Sequence, residues 1–375
     1  MKKVTRRSFI SKGTAVTITA PTLLTLACSS DPKTREAGTP NINFNKTYRW
    51  RMITTWPPNF PILGEGCTLF AKMVHEMSGG RLQIQVFGGG ELVPALEVFD
   101  AVSNGVAELG HASPYYWAGK APASQLFATI PFGMNAQQKM TWLMAGDGMR
   151  LWEELYERFN LIPFLSGNSG IQMGGWFNKE INSIQDIKGL KMRIPGLGGK
   201  VITEAGGSAV LTSGGEIYTN MERGVIDATE WIGPYHDYRM GLHKVSRYYY
   251  YPGWHEPGTV FETFVNKSKF ESVPTDLQEI VRIASKSQYS WSFSQFEYNN
   301  SIYLQKLITE EKVNLKPFPE EVLKNLKRIS RDVLNDIASR DSMSRKVFDS
   351  YQNFIKANQN WVDITEKFYH TKLNN

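Results

Sequence analysis

The chain has 375 residues, 41% of them apolar and 21% charged, a composition that supports a sizeable core and excludes a disordered polymer. Its formal net charge of +6 is local, because residues 1–27 hold five Lys or Arg and no acid, leaving 37 basic against 36 acidic residues elsewhere. That near-neutral remainder gives no footprint for nucleic acid, and the chain's two cysteines exclude a disulfide framework.

Thr5-Arg6-Arg7-Ser8-Phe9-Ile10 with Lys12 follows the twin-arginine export pattern. The apolar stretch from Ala15 to Ala27 is too short to span a bilayer. Ala27-Cys28-Ser29-Ser30 then reads as a lipoprotein cleavage site, with simple cleavage nearby as the alternative. Residues 28–46 form a polar linker that would tether the protein if Cys28 carries lipid. Roughly 350 residues remain after processing, more than one core usually serves, so two lobes are expected. Cys67 falls among Phe70, Ala71 and Val74 on the apolar face of a helix, where a buried thiol is common.

In chain order, a first strand over 48–53 ends at Trp56-Pro57-Pro58. Helical spacing over 64–78 stops at Gly79-Gly80, and Leu82, Ile84 and Val86 alternate as a second strand. A helix over 92–104 and a strand over 107–112 complete a β-α-β-α-β unit, assigned to lobe 1 (47–160). A second unit, lobe 2 (161–270), has strands over 162–165, 172–177, 191–194, 209–211 and 226–231, with helices over 199–205 and 218–223. Both units are expected to carry largely parallel sheets. Residues 271–375 form long connecting and C-terminal helices, the first over 275–312 behind a Thr275-x-x-Gln278 capping pattern. The second opens at Phe318-Pro319-Glu320-Glu321 and the third covers 345–360.

No G-x-S-x-G, H-E-x-x-H, Walker loop or Cys/His metal framework is present. Gly88-Gly89-Gly90 lacks the order of a dinucleotide fingerprint, and the Gly196, Gly198, Gly199 turn reads as a turn. Polar and aromatic residues do collect at strand ends, where open α/β sheets bind ligands. Arg193 stands just before the Pro195 break, and a guanidinium there can grip a carboxylate through two parallel hydrogen bonds. Glu230-Trp231 ends another strand, Glu256 precedes Pro257, and Tyr115-Tyr116-Trp117 crowns the end of a lobe 1 strand.

The leader, the runs ELVPALEVFDAVSNGVAELG, IKGLKMRIPG and GGEIYTNMERGVIDATEW, and the long C-terminal helices together resemble the periplasmic solute receptors of tripartite ATP-independent periplasmic (TRAP) transporters. The TEWIGP ending is most similar to the branch that binds 2-oxo acids, or lactate, with a metal ion. The resemblance implies an α/β, two-lobed periplasmic-binding-protein-like fold, no enzymatic activity, integral-membrane TRAP subunits as partners, and homodimers through C-terminal helices. It implies that Arg193 clamps the solute carboxylate, with Gln172 also holding the solute and Tyr116 as an aromatic wall. The cation would be held by Glu230, Trp231 and Glu256. Two glutamates beside a solute carboxylate favour Ca²⁺ over Na⁺ among hard cations that take oxygen ligands. Trp231, Tyr116 and Phe264 are expected to limit solute length. The competing readings are a metal-dependent lyase or aldolase using Glu230 or Glu256, and an accessory ligand sensor.

Overall fold

The computed structural model describes residues 45–373; the twin-arginine pattern, Cys28 and the linker up to residue 44 lie outside the described residues. The described part carries two mixed sheets. The first has the order β2-β1-β3-β10-β4, from Leu82–Phe87 (β2), Tyr48–Thr54 (β1), Leu109–Ala112 (β3), Val260–Asn266 (β10) and Leu161–Asn168 (β4). The second has the order β11-β9-β5-β8-β6-β7. Its strands are Asn314–Pro317 (β11), Tyr248–Tyr251 (β9), Gly175–Phe177 (β5), Ala228–Thr229 (β8), Lys191–Arg193 (β6) and Ser208–Val210 (β7).

Three departures from the sequence reading share one cause. β4, placed by pattern in the second unit, and β10, a strand within 161–270 that the pattern reading did not give, both pair in the first sheet, and β10 runs antiparallel to both β3 and β4. In the second sheet β6 is parallel to β7 and β8, whereas β5 is antiparallel to β8 and β9. Neither sheet is therefore largely parallel. The chain crosses between sheets three times, over 169–174, over 252–259 and through the long helix that separates β10 from β11, and local periodicity carries no record of which sheet a strand joins.

The first two crossings are bonded to each other. Ser169 N donates to Thr259 O (3.0 Å), Gln172 N to Glu256 O (3.1 Å) and Gly253 N to Gln172 O (2.9 Å). A Cβ at residue 253 would sit 2.2 Å from the Gln172 carbonyl oxygen, so this approach requires glycine. The Thr275–Thr309 helix bridges the sheets as well. Ser285 Oγ donates to Leu165 O on β4 (2.9 Å), and Asn300 Oδ1 accepts from Tyr235 N in the Pro234–Arg239 helix beyond β8 (3.1 Å). The expected capping box does not form at its start. Pro274 is the N-cap, and the Gln278 amide instead donates to Val273 O (2.9 Å).

The Glu320–Arg340 helix then packs on the Gly196–Glu204 helix, and Ser342–Ile364 returns to the helices beside the first sheet. There Tyr351 Oη accepts from Met134 N (2.8 Å), and Trp142 Nε1 donates to Ser350 Oγ (3.1 Å). Residues 92–104 give a 3₁₀ turn and only a six-residue helix, Val98–Ser103. Cys67 is fully buried, with Sγ donating to Leu63 O (3.2 Å), as its apolar setting predicts. No helix among the described residues is long and apolar enough to cross a membrane.

Glu262, on β10, is a fully buried acid in the first sheet. Its Oε1 accepts from Trp117 Nε1 (2.8 Å) and Tyr156 Oη (2.9 Å), while Oε2 has no partner. Burial outweighs those two donors and pushes the carboxyl up to about 8. The folded state therefore holds a proton that an unfolded glutamate releases above about 4.5, so folding stability falls as pH rises from there to about 8 and then levels. Glu262→Gln is expected to remove that fall. Its stability relative to wild type should rise by up to ~1.4 kcal/mol per pH unit across this window, measured by urea unfolding between pH 5 and 9.

Candidate functional site

β6 and β8 are neighbours in register, Arg193 opposite Thr229, and both stop at the same edge of the second sheet. Pro195 removes the next donor after β6, and the Gly233-Pro234 pair turns the chain after β8 into a helix. Arg193 and Glu230 thus emerge side by side. Arg193 Nη1 donates to Glu230 Oε1 at 2.6 Å, and both side chains are 1% exposed. Arg193 Nε and Nη2 each lie 3.3 Å from Thr212 O, and the guanidinium stands 5.2 Å from the centre of a Trp231 ring. Gly214 lets that indole lie against the 211–215 loop, where a Cβ would fall 2.5 Å from Trp231 Cη2.

Gln172 and Glu256 arrive from the first two crossings rather than from strand ends. Gln172 Nε2 donates to Glu256 Oε2 (2.7 Å) and Ser169 Oγ (3.1 Å). Thr259 Oγ1 donates to the same Glu256 oxygen (2.5 Å). Both are buried, and Gln172 Oε1 has no hydrogen-bond partner. His255 brings Nε2 to 3.4 Å from Glu230 Oε2. Tyr115 and Tyr116, on the turn after β3, approach from the first sheet; Tyr116 is half-buried and within hydrogen-bonding reach of Arg193.

One guanidinium thus faces two carboxylates out of water. Burial raises Glu230 to about 7 against the opposing pull of Arg193. Glu256 rises to about 8, through burial first and the charge of Glu230 second. His255 is pushed down to about 4 by burial and is neutral. The cluster is short of positive charge.

That shortage is the test of whether a cation fits. Among the described residues, Glu230, His255 and Glu256 offer donor atoms within 4.8 Å of one another. With the unpartnered Gln172 Oε1 beside them, most donors are hard oxygens of the kind a sodium or calcium ion takes. The residues fit.

The sequence reading thus brings Gln172, Arg193, Glu230, Trp231, Glu256 and Tyr116 to one place. Phe264 does not join them; it packs with Phe99, Trp117 and Tyr156 in the first sheet's core. His255 and Thr212 were missed. His255 had a signal, since it separates Trp254 from Glu256. Thr212 acts through a backbone carbonyl, which no side-chain pattern reports. A separate groove of about 730 Å³, lined by Lys200, Val333 and Arg340 among others, includes none of the site carboxylates.

Residues 52–341 match the model of the bacterial extracellular solute-binding proteins, family 7. The chain belongs to that family. A monocarboxylate 2-oxoacid-binding periplasmic protein of Nostoc is 41% identical over 95% of this chain and 96% of its own length. A TRAP periplasmic solute-binding protein of Pseudoalteromonas atlantica, solved with sodium and pyruvate, superposes with a TM-score of 0.85. It is 40% identical, over 87% of this chain and 99% of that one. Its counterpart from Colwellia psychrerythraea, solved with calcium and pyruvate, gives 0.83 at 40% identity, over 86% and 99%. This family 7 protein is a TRAP solute-binding receptor, not an enzyme, and the lyase or aldolase reading falls.

Removing a partner from a buried ion pair strands a charge. In the solute-free protein Arg193→Met is expected to lower unfolding free energy by about 3–5 kcal/mol at pH 8. The loss should shrink at pH 6, below the value of about 7 at which Glu230 takes up a proton. Urea denaturation at both pH values measures it.

Proposed function

We propose that this receptor captures a small 2-oxo monocarboxylate, pyruvate in the first instance, together with a calcium ion. The observation that carries the reading is the buried convergence of Arg193 with Glu230 and Glu256 around the unpartnered Gln172 oxygen. Arg193 takes the solute carboxylate, with Gln172 as a second contact and Tyr116 and Trp231 as aromatic walls. Glu230, Glu256 and the backbone oxygen of Trp231 hold the cation. A 2-oxo acid offers a carboxylate oxygen and an adjacent carbonyl oxygen, a chelating pair for a hard ion. Two glutamates and a solute carboxylate bring three negative charges against one guanidinium. A divalent ion balances them and a monovalent ion leaves one over, which supports Ca²⁺ above Na⁺.

Two lobes, one built on each sheet, close on this centre, connected by the helices of 271–375, and loaded protein delivers solute to the integral-membrane TRAP subunits. The twin-arginine leader of residues 1–27 exports the chain to the periplasm, where a lipid on Cys28 tethers it through the 28–46 linker. Two copies associate through their C-terminal helices. That part of the reading is supported by the exposed Trp361, Ile364, Phe368, Tyr369 and Leu373.

Isothermal titration tests the central claim. Pyruvate binding is expected to require calcium, and Arg193→Ala is expected to weaken it at least about 100-fold through the loss of two charged hydrogen bonds. Unchanged affinity in that variant would retire the reading. Glu256→Gln should lower calcium affinity at least about tenfold, read by titration of the metal alone. For the dimer, light scattering on a chain ending at residue 360 is expected to give a monomer where the full mature chain gives twice that mass.

A further inference from the structure

The 56–62 loop leaves β1 of the first sheet and reaches the indole of Trp231 at the end of β8 in the second. Trp56 lies edge-on to that indole at 6.2 Å and Phe60 at 5.8 Å. The loop is strained. Asn59 and Ile62 both have positive φ (56° and 57°), and for a β-branched residue this is a rare backbone state. The Glu65 carboxylate holds it there by accepting from Ile62 N at 2.9 Å. Strain of this kind collects at clamps and switches, where surrounding contacts must sustain it.

His236, fully buried in the Pro234–Arg239 helix, links the loop to the site. Trp231 Nε1 lies 3.2 Å from His236 Nδ1, and His236 Nε2 lies 2.8 Å from the Pro61 carbonyl. An indole nitrogen can only donate, so Nδ1 accepts. The ring hydrogen of the neutral imidazole is then on Nε2, and Nε2 donates to Pro61 O. Both contacts are satisfied by one tautomer. Phe60 packs on the same imidazole at 4.8 Å, and Phe296 of the bridging helix at 4.9 Å.

We propose that His236 is a latch, a positioning residue that ties Trp231 to the 56–62 loop of the first sheet. Solute held against Trp231 and closure of the loop over it then stabilise each other. The imidazole touches neither solute nor cation. It acts through the Trp231 indole on one side and the Pro61 carbonyl on the other. The proposal rests on the reading of this cleft as a 2-oxo acid site.

The test titrates pyruvate with calcium into wild type, His236→Phe and His236→Gln, and follows dissociation by stopped-flow tryptophan fluorescence. Phe keeps the ring and loses both hydrogen bonds, and its pyruvate Kd is expected to weaken about tenfold, carried by faster dissociation. Gln can still reach Pro61 O with its amide nitrogen and should fall between Phe and wild type. Wild-type dissociation rates in folded variants overturn the latch, as does a lower melting temperature with unchanged affinity. If His236→Phe does not fold, His236→Asn replaces it. Asn keeps an acceptor for Trp231 but cannot span to Pro61, so faster dissociation in Asn and Gln alike supports the latch and wild-type rates in both overturn it. Failure of the wild type to bind any 2-oxo acid retires the functional reading and the latch together, whereas binding that is indifferent to residue 236 retires the latch alone.

Discussion

The pairing of Arg193 with Glu230, 2.6 Å apart and out of water, is the constraint around which the rest of the cleft is arranged. Desolvating these charges is costly, and the pair is sustained by the further partners of the guanidinium. Thr212 O takes two of its nitrogens and the Trp231 ring covers its face. Glu256 upsets this balance by adding a second acid with no cation of its own, and its proton affinity is raised by burial first and by the charge of Glu230 second. A site built to be incomplete in charge is selective for what completes it.

The centre also depends on where its members originate. Arg193, Glu230 and Trp231 stand on strand ends of one sheet, whereas Gln172 and Glu256 ride on the two bonded segments that pass between sheets. A rotation of one sheet against the other would turn about those segments. On the proposed reading, residues placed there would stay near the solute throughout, while Tyr116 and Trp56, on the side of the first sheet, would approach or withdraw.

Much of the centre was legible in the sequence because its residues abut visible punctuation. Pro195 marks the end of Arg193's strand, Gly233-Pro234 follows Glu230-Trp231, and Pro257 follows Glu256. Helices and strands with clear periodicity, such as Leu63–Met77 and Leu82–Phe87, fell within a residue or two of their expected bounds. Illegible were the relations that close only in three dimensions. β10 is inserted antiparallel between β3 and β4 although more than ninety residues separate it from either. Tyr248–Tyr251 is four identical aromatic residues with no alternation to reveal a strand. The two partners of the His236 imidazole follow strands of different sheets, a relation that no local pattern records.

The Thr275–Thr309 helix is fastened to the first sheet through Ser285 and to the surroundings of the second through Asn300. At 1.5 Å per residue, roughly 22 Å of unbroken α-helix separates these fastenings. A rod of that kind has no joint, as it contains neither proline nor glycine. Any change in the angle between the sheets must curve it or make one fastening slip, so it resists both gaping and over-closing and restores whichever angle its unbent form favours. In the proposed closure the long helix would act, in mechanical terms, as a leaf spring whose stiffness limits the swing.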